Sequence, residues 1–319
     1  MMENFKLTSV SGKIPVKPFP DPDPLDLLIG AWTGTGFNQI WRPANKNTNG
    51  PGTASPPQDR FLELNETIEE LQFKEVSKEV PNRGLFAQVD INLHGIDYLQ
   101  QIKDAHVKDP STGQLSGIHF EPGLWLLVPP TDANPIVNVH TVARLASIPH
   151  GTTIVAQGTY KTEPGAPVFA ASSIKPFPIN NPGAPINFPE QILANPTPFR
   201  TPPGDIPGVT QGLVDNPNSF LQAGLAGKTI ESTTTLVIST TTKTPPPPTG
   251  GGTDNISFLT GGPGAPGPNA LTVEVDAVFW IETYKVGIVT HHQLQYSQRV
   301  LLNFAGISWP HVSVATLKK

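Results

Sequence analysis

The chain carries eight histidines, at positions 94, 106, 119, 140, 150, 291, 292 and 311, and no cysteine. The missing thiols remove disulfides, thiolate zinc sites, cysteine nucleophiles and thiolate-ligated haem together. Any metal must then be taken by His, Asp, Glu, Tyr or Met, and neutral imidazole is the usual iron ligand in that situation. In WPHVSVATLKK (Trp309–Lys319), period-two spacing puts His311 on one strand face with Trp309, Ser313, Ala315 and Leu317. There it suits a haem iron, or serves only as a structural residue. In GIHFEPGLW, His119 and Glu121 lie two apart and share a face. They could orient each other or bind a metal weakly, or form an exposed pair before a Pro-Gly turn. In NVHTVAR, His140 and Arg144 share a face with Asn138 and Val142. Facing inward, that pair sets an acid–base group beside a cation, as peroxide chemistry requires; facing outward, the same residues are ordinary solvated side chains. His291 and His292 point to opposite faces of a strand and cannot chelate together.

Several chemistries have no support. There is no HExxH, no EF-hand ligand run, no Walker loop and no GxSxG elbow. GTGF at Gly34–Phe37 precedes no helix, so it is not a phosphate loop. Net charge is −5 without a Lys/Arg cluster, which argues against a nucleic-acid partner. No apolar run reaches ~18 residues, so no membrane span is expected. Met1–Asp23 mixes charge with proline and has no apolar stretch of the kind a secretory signal needs, so the expected location is cytoplasmic.

The elements that must position these groups read as strands. In LTVEVDAVFWIET (Leu271–Thr283), Leu271, Val273, Val275, Ala277, Phe279 and Ile281 alternate with Glu274, Asp276 and Glu282. Leu28–Trp41, Leu85–Leu93, Gly117–Val128, Ile136–Ala146, Thr152–Tyr160, Lys228–Thr240, Ile288–Leu302 and Trp309–Leu317 follow the same rhythm, with Thr and Val enrichment. Phe61–Val76 has partly helical spacing but is read as a strand. Pro217–Ala226 reads as a short helix, and no segment reads as a strong amphipathic helix of three or more turns. The fold class expected is therefore all-β: an up-and-down antiparallel barrel of about ten strands, wide enough for a small-molecule ligand, with a two-sheet sandwich as the rival. In IGAWTGTGF, Gly34 and Gly36 would let the first strand bend where a barrel closes, and Trp32 is either a core plug or a ligand contact. The 37 prolines and 29 glycines concentrate in Pro43–Pro57, Thr162–Gly227, Pro245–Gly252 and Gly261–Pro268, which read as loops. The expected layout is an N-terminal arm (1–23) and one barrel domain (24–319) with an insertion at about 162–227. That insertion is either a wrapping arm or lid, or disordered.

Three places, in order, resemble the nitrobindin-type haem-binding β-barrels. IGAWTGTG looks like the Gly-x-Trp-x-Gly-x-Gly first strand, HFEPGLW like the His-x-Glu-x-Gly segment, and PHVSVATLKK like the final strand with its proximal histidine. The resemblance implies a barrel related to fatty-acid-binding proteins, holding haem b with His311 as the iron ligand. Trp32, Gly34 and His119 would be further cofactor-binding positions. It also implies nitric oxide binding and peroxynitrite isomerisation; reaction with peroxide would draw on His140 and Arg144, the candidate catalytic groups read above from their spacing. Family domains are shorter, and the Pro/Gly-rich insertions have no counterpart in them. Two alternatives stand beside it: a haem-free carrier of an apolar small molecule, and an enzyme acting on a hydrophobic substrate through His140 with Arg144 or His119 with Glu121.

Overall fold

The computed structural model describes residues 19–44, 60–133, 136–243, 249–264 and 267–319. Most of the expected N-terminal arm, most of the Pro43–Pro57 loop and part of Pro245–Gly252 lie outside the described residues. A short helix, α1 (Pro24–Leu28), leads into β1 (Gly30–Pro43), β2 (Arg60–Asn82), β3 (Ile91–Lys108), β4 (Leu115–Val128), β5 (Thr141–Ile148) and β6 (Thr152–Pro164). A long segment follows with the two-residue β7 (Phe177–Pro178), α2 (Gln211–Asp215) and α3 (Ser219–Leu225). Then come β8 (Ile230–Ser239), β9 (Gly250–Asn255), α4 (Ser257–Thr260), β10 (Leu271–Val286), β11 (Val289–Phe304) and β12 (Ile307–Lys318).

Ten of these strands form a closed antiparallel barrel in the order β1-β2-β3-β4-β5-β6-β8-β10-β11-β12, with β12 returning to β1. That return, Thr33 to Ile40 against Lys318 to His311, overturns the sandwich alternative. β9 pairs with β6 where β8 leaves it, so Gly250–Gly252 are strand rather than linker. Phe61–Val76 is part of the 23-residue β2. Two strand expectations shift: Leu85 and Phe86 lie in the exposed β2–β3 loop, and β5 begins only at Thr141.

Alternation explains the interior. Val275, Ala277, Phe279 and Ile281 of β10 join Trp32, Phe73, Trp125, Tyr296 and Leu317 in the inner core. One end of the barrel is plugged by α1, whose Leu25 and Leu28 belong to that core. Asp23 caps α1 through Leu25 N at 2.8 Å, and its other oxygen meets His94 Nδ1 at 2.8 Å. The β1–β12 seam is tight. A Cβ on Gly34 would collide with the Thr316 carbonyl, and one on Gly36 would lie 2.5 Å from both Val314 O and Glu69 Oε1. Gly34→Ala is therefore expected to cost about 1–3 kcal/mol by overpacking, read as a lower urea midpoint with an unchanged slope; an unchanged midpoint would mean the seam has slack.

β6 runs on to Pro164, and the rest of the 162–227 segment is a wrapping arm. On the outer wall, Phe37, Trp41, Leu62, Leu64, Val312 and Val314 are covered by the arm's Ile174, Ile206, Val214 and Leu221. Proline denies this arm a ladder, and a buried arginine organises it instead. Arg200 donates to the carbonyls of Glu190, Ile192, Leu193 and Asn195 at 2.7–3.2 Å. Trp41 Nε1 donates to Ile174 O at 2.8 Å, tying arm to barrel.

Candidate functional site

At the end of the barrel away from α1 lies a cavity of about 280 Å³. Its apolar wall includes Ile40, Ile102, Ile148, Leu259, Val300 and Leu302, and its polar groups include Asn38, His119, His150, His311, Tyr296 and Gln298. A β-bulge builds one side. Ile102 pairs with His119 but Lys103 pairs with Gly117, leaving Ile118 as the extra residue. Both Ile118 and His119 line the cavity, which is how a bulge re-aims side chains beside a site.

His311 sits on β12 opposite Ile40 of β1 and Val300 of β11. Its Nε2 is 3.3 Å from Ser313 Oγ. Burial, reinforced by His119 and His150, pushes its pKa down to about 3, so the ring is neutral at ordinary pH. Other histidines are held by carboxylates: His94 by Asp23 at 2.8 Å, His106 by Glu66 at 2.6 Å and His119 by Glu121 at 3.1 Å. The His150 ring lies 5.7 Å from that of His119, and burial lowers its pKa.

Below the cavity is a buried polar network. Glu121 is fully buried and accepts hydrogen bonds from Tyr98 Oη and Arg144 Nη2. Burial raises the Glu121 pKa, but Arg144 and His119 outweigh it and hold the carboxyl at about 2. Arg144 also donates to Tyr98 Oη at 2.8 Å and Gln298 Oε1 at 2.5 Å. Beside it, Tyr296 Oη donates to Glu69 Oε2 at 2.6 Å, and burial raises the Glu69 pKa.

The structure brings His311 and His119 into one cavity and separates the remaining candidates. Trp32 lies at the plugged end, where its Nε1 donates to Leu28 O at 2.6 Å, so it is a core plug and not a wall of this cavity. Gly34 serves the seam. His140 precedes β5 and packs against Phe19 near the plug (ring centroids 6.4 Å), whereas Arg144 is engaged by Glu121 within the barrel. The expected shared face of His140 and Arg144 does not form, because β5 starts after His140. Glu121 is not an exposed group before a turn: β4 runs straight through Pro122–Gly123. Trp309 leaves the face of His311 and packs with Trp41, Phe188 and Phe304 outside. Asn38 and His150 were not expected at the site. Asn38 has the parity of Trp32, Gly34 and Gly36 on β1, a signal that only helps once that face is known to point inward. Ligand atoms of Asp23, Asp26 and His94 also cluster within 4.8 Å. There Asp23 caps α1 and Asp26 accepts from Lys78 at 2.7 Å, so these groups fasten the plug.

No family model matches this chain, and neither a curated protein nor a solved structure matches it. Among the described residues, no helix is long and apolar enough to cross a membrane.

Proposed function

We propose that this protein binds a small, largely apolar molecule inside its barrel, in the cavity beside His311. The observation that carries this reading is the lining: aliphatic walls with a few convergent polar groups around about 280 Å³. Small-molecule sites have that character and typically span ~300–1,000 Å³, so the occupant is small.

Haem b is the particular occupant the sequence resemblance implies, and one observation favours it. His311 is neutral, borders the cavity and, among the described residues, is not held by a carboxylate, which is the state iron ligation requires. The donor atom fits; the enclosed volume fits only part of a macrocycle, so the rest would lie at the rim, where Arg42 stands. Bound there, haem would supply an iron for small ligands such as nitric oxide, peroxynitrite or peroxide. The chain's own part would be to hold that iron through His311, to exclude water with Ile40, Val300 and Leu302, and to present His119 and His150 to the same space.

Titration of the purified protein with haemin tests this. A Soret band whose apparent affinity falls more than ~100-fold in His311→Ala supports haem, since even outer-shell changes at such sites cost 10–100-fold. Absence of any Soret change in the wild type removes haem and leaves the carrier reading.

A further inference from the structure

His119 has the surroundings of a proton-transfer group. It stands in the barrel wall, lining the cavity on one side and a shallow groove of the outer surface on the other. Its Nε2 lies 3.1 Å from Glu121 Oε2. Glu121 is fully buried, and Arg144 and Tyr98 hold it as a carboxylate. A carboxylate accepts and cannot donate, so in the neutral ring Nε2 carries the hydrogen and Nδ1 keeps the lone pair. Nδ1 has no hydrogen-bond partner among the described residues, yet it is not sealed from water. This is the arrangement in which a buried carboxylate orients an imidazole base and supports the imidazolium that forms.

The neighbours narrow the chemistry. Among the described residues Glu121 is the hydrogen-bond partner of His119, so no serine or threonine is paired with it as an activated nucleophile would be. The cavity's serine, Ser313, sits against His311 instead. Aliphatic walls surround the space, from Ile102 and Ile118 beside His119 to Val300 and Leu302. A base without a nucleophile, in an apolar cavity, is suited to taking a proton from the bound molecule itself. The outer groove then gives that proton a way to water.

We infer that His119, oriented by Glu121, is a general base that removes a proton from carbon in a small, neutral, conjugated molecule held in the cavity. This rests on the reading that the cavity is a ligand site, and it does not require haem. His119 is the catalytic residue, and Glu121 is a positioning residue that acts through it. The other titratable or charged groups around the ring are Arg144 and Tyr98 behind Glu121, and His150 and His311 on the cavity lining.

Ring-opening of 5-nitrobenzisoxazole tests the assignment, because that step balances without a co-reactant. Nδ1 takes the C3 proton, the C–H electron pair becomes the second π bond of a nitrile, and the N–O bond breaks to leave a phenolate. Phenolate release is followed by absorbance with the full chain and no added haemin; binding of unreactive 5-nitroindazole is followed by calorimetry. Turnover should exceed the buffer rate about 100-fold or more, and His119→Gln should lose that gain while 5-nitroindazole still binds. Added imidazole should restore turnover to His119→Ala, a rescue that a merely structural histidine would not show. Glu121→Gln should lower kcat about tenfold and move the acid limb of the pH–rate profile to lower pH, since a neutral amide favours imidazolium less than a carboxylate does. A limb left in place overturns the role of Glu121. Binding of 5-nitroindazole without turnover, or undiminished turnover in His119→Gln, overturns the inference and leaves the cavity reading standing. Neither binding nor turnover overturns both.

Discussion

Arg144→Ala is expected to destabilise the barrel by about 3–5 kcal/mol, the cost of stranding a buried charge by removing its partner. Arg144 is 2% exposed and Glu121 fully buried, so water cannot replace the lost guanidinium. Tyr98 and Gln298 would lose a donor as well. Urea unfolding of the variant measures the loss; a change below about 1 kcal/mol would mean the interior admits water. Replacing both partners with apolar residues, Arg144→Met with Glu121→Leu, should recover most of the deficit, since no charge is then stranded.

The same pair sets a pH dependence. The Glu121 pKa is about 2 when folded, against an ordinary value near 4.5. A depressed carboxyl contributes stability that is complete above the unfolded pKa and is lost as pH falls through the folded one. Wild-type stability should therefore decline between pH 4.5 and 2, and Glu121→Gln should flatten that limb while lowering stability at pH 7. An equally steep acid limb in the variant would assign the effect to other carboxyls.

Trp41→Ala is expected to cost about 3–5 kcal/mol, as large aromatic truncations in packed clusters do, and to loosen the arm. The indole is wholly buried, bonds the arm at Ile174, and packs against Trp309 and Phe188 with ring centroids 5.3 and 5.8 Å away. Its loss removes both the anchor and one of the two indoles against which Phe188 packs. Limited proteolysis should then cut within 165–227 before the barrel strands are attacked. Continued protection of the arm would show that Arg200 and its four carbonyls suffice to hold it.

The barrel was legible because its strands obey period two so plainly. Leu271–Thr283 alone gives the inner face of β10 correctly at Val275, Ala277, Phe279 and Ile281. What alternation could not tell is that part of the outer wall is covered as well. Trp280 points outward yet is buried under Phe169 of the arm, with ring centroids 4.9 Å apart. Glu282, also outward and fully buried, has its pKa raised to about 8 by that burial. Local turn chemistry misled at Pro122–Gly123: the glycine is there because a Cβ would come within 2.5 Å of the Tyr98 ring, which supports Glu121. His119 and His311 were visible as strand histidines. Asn38 was not, since a polar residue on an inner face breaks the pattern used to find that face. His140 lies outside its expected strand because β5 begins at Thr141, five residues after the expected Ile136.

The β1–β12 seam has a kinetic side. Pairing the first barrel strand with the last closes a loop of nearly the whole domain, and that entropy is met before the contacts repay it, so assembly is expected to be slow. Until β12 docks, β1 and β11 present open edges, the risk of pairing with another chain is greatest, and the cavity lacks the wall that carries His311 and Ser313. A ligand in the proposed cavity site, between Ile40 and His311, would touch both strands of the seam at once. Under the proposed function it would bind only the closed ring and so favour it by mass action; occupancy would then act as a clasp, shielding the chain from edge-to-edge aggregation.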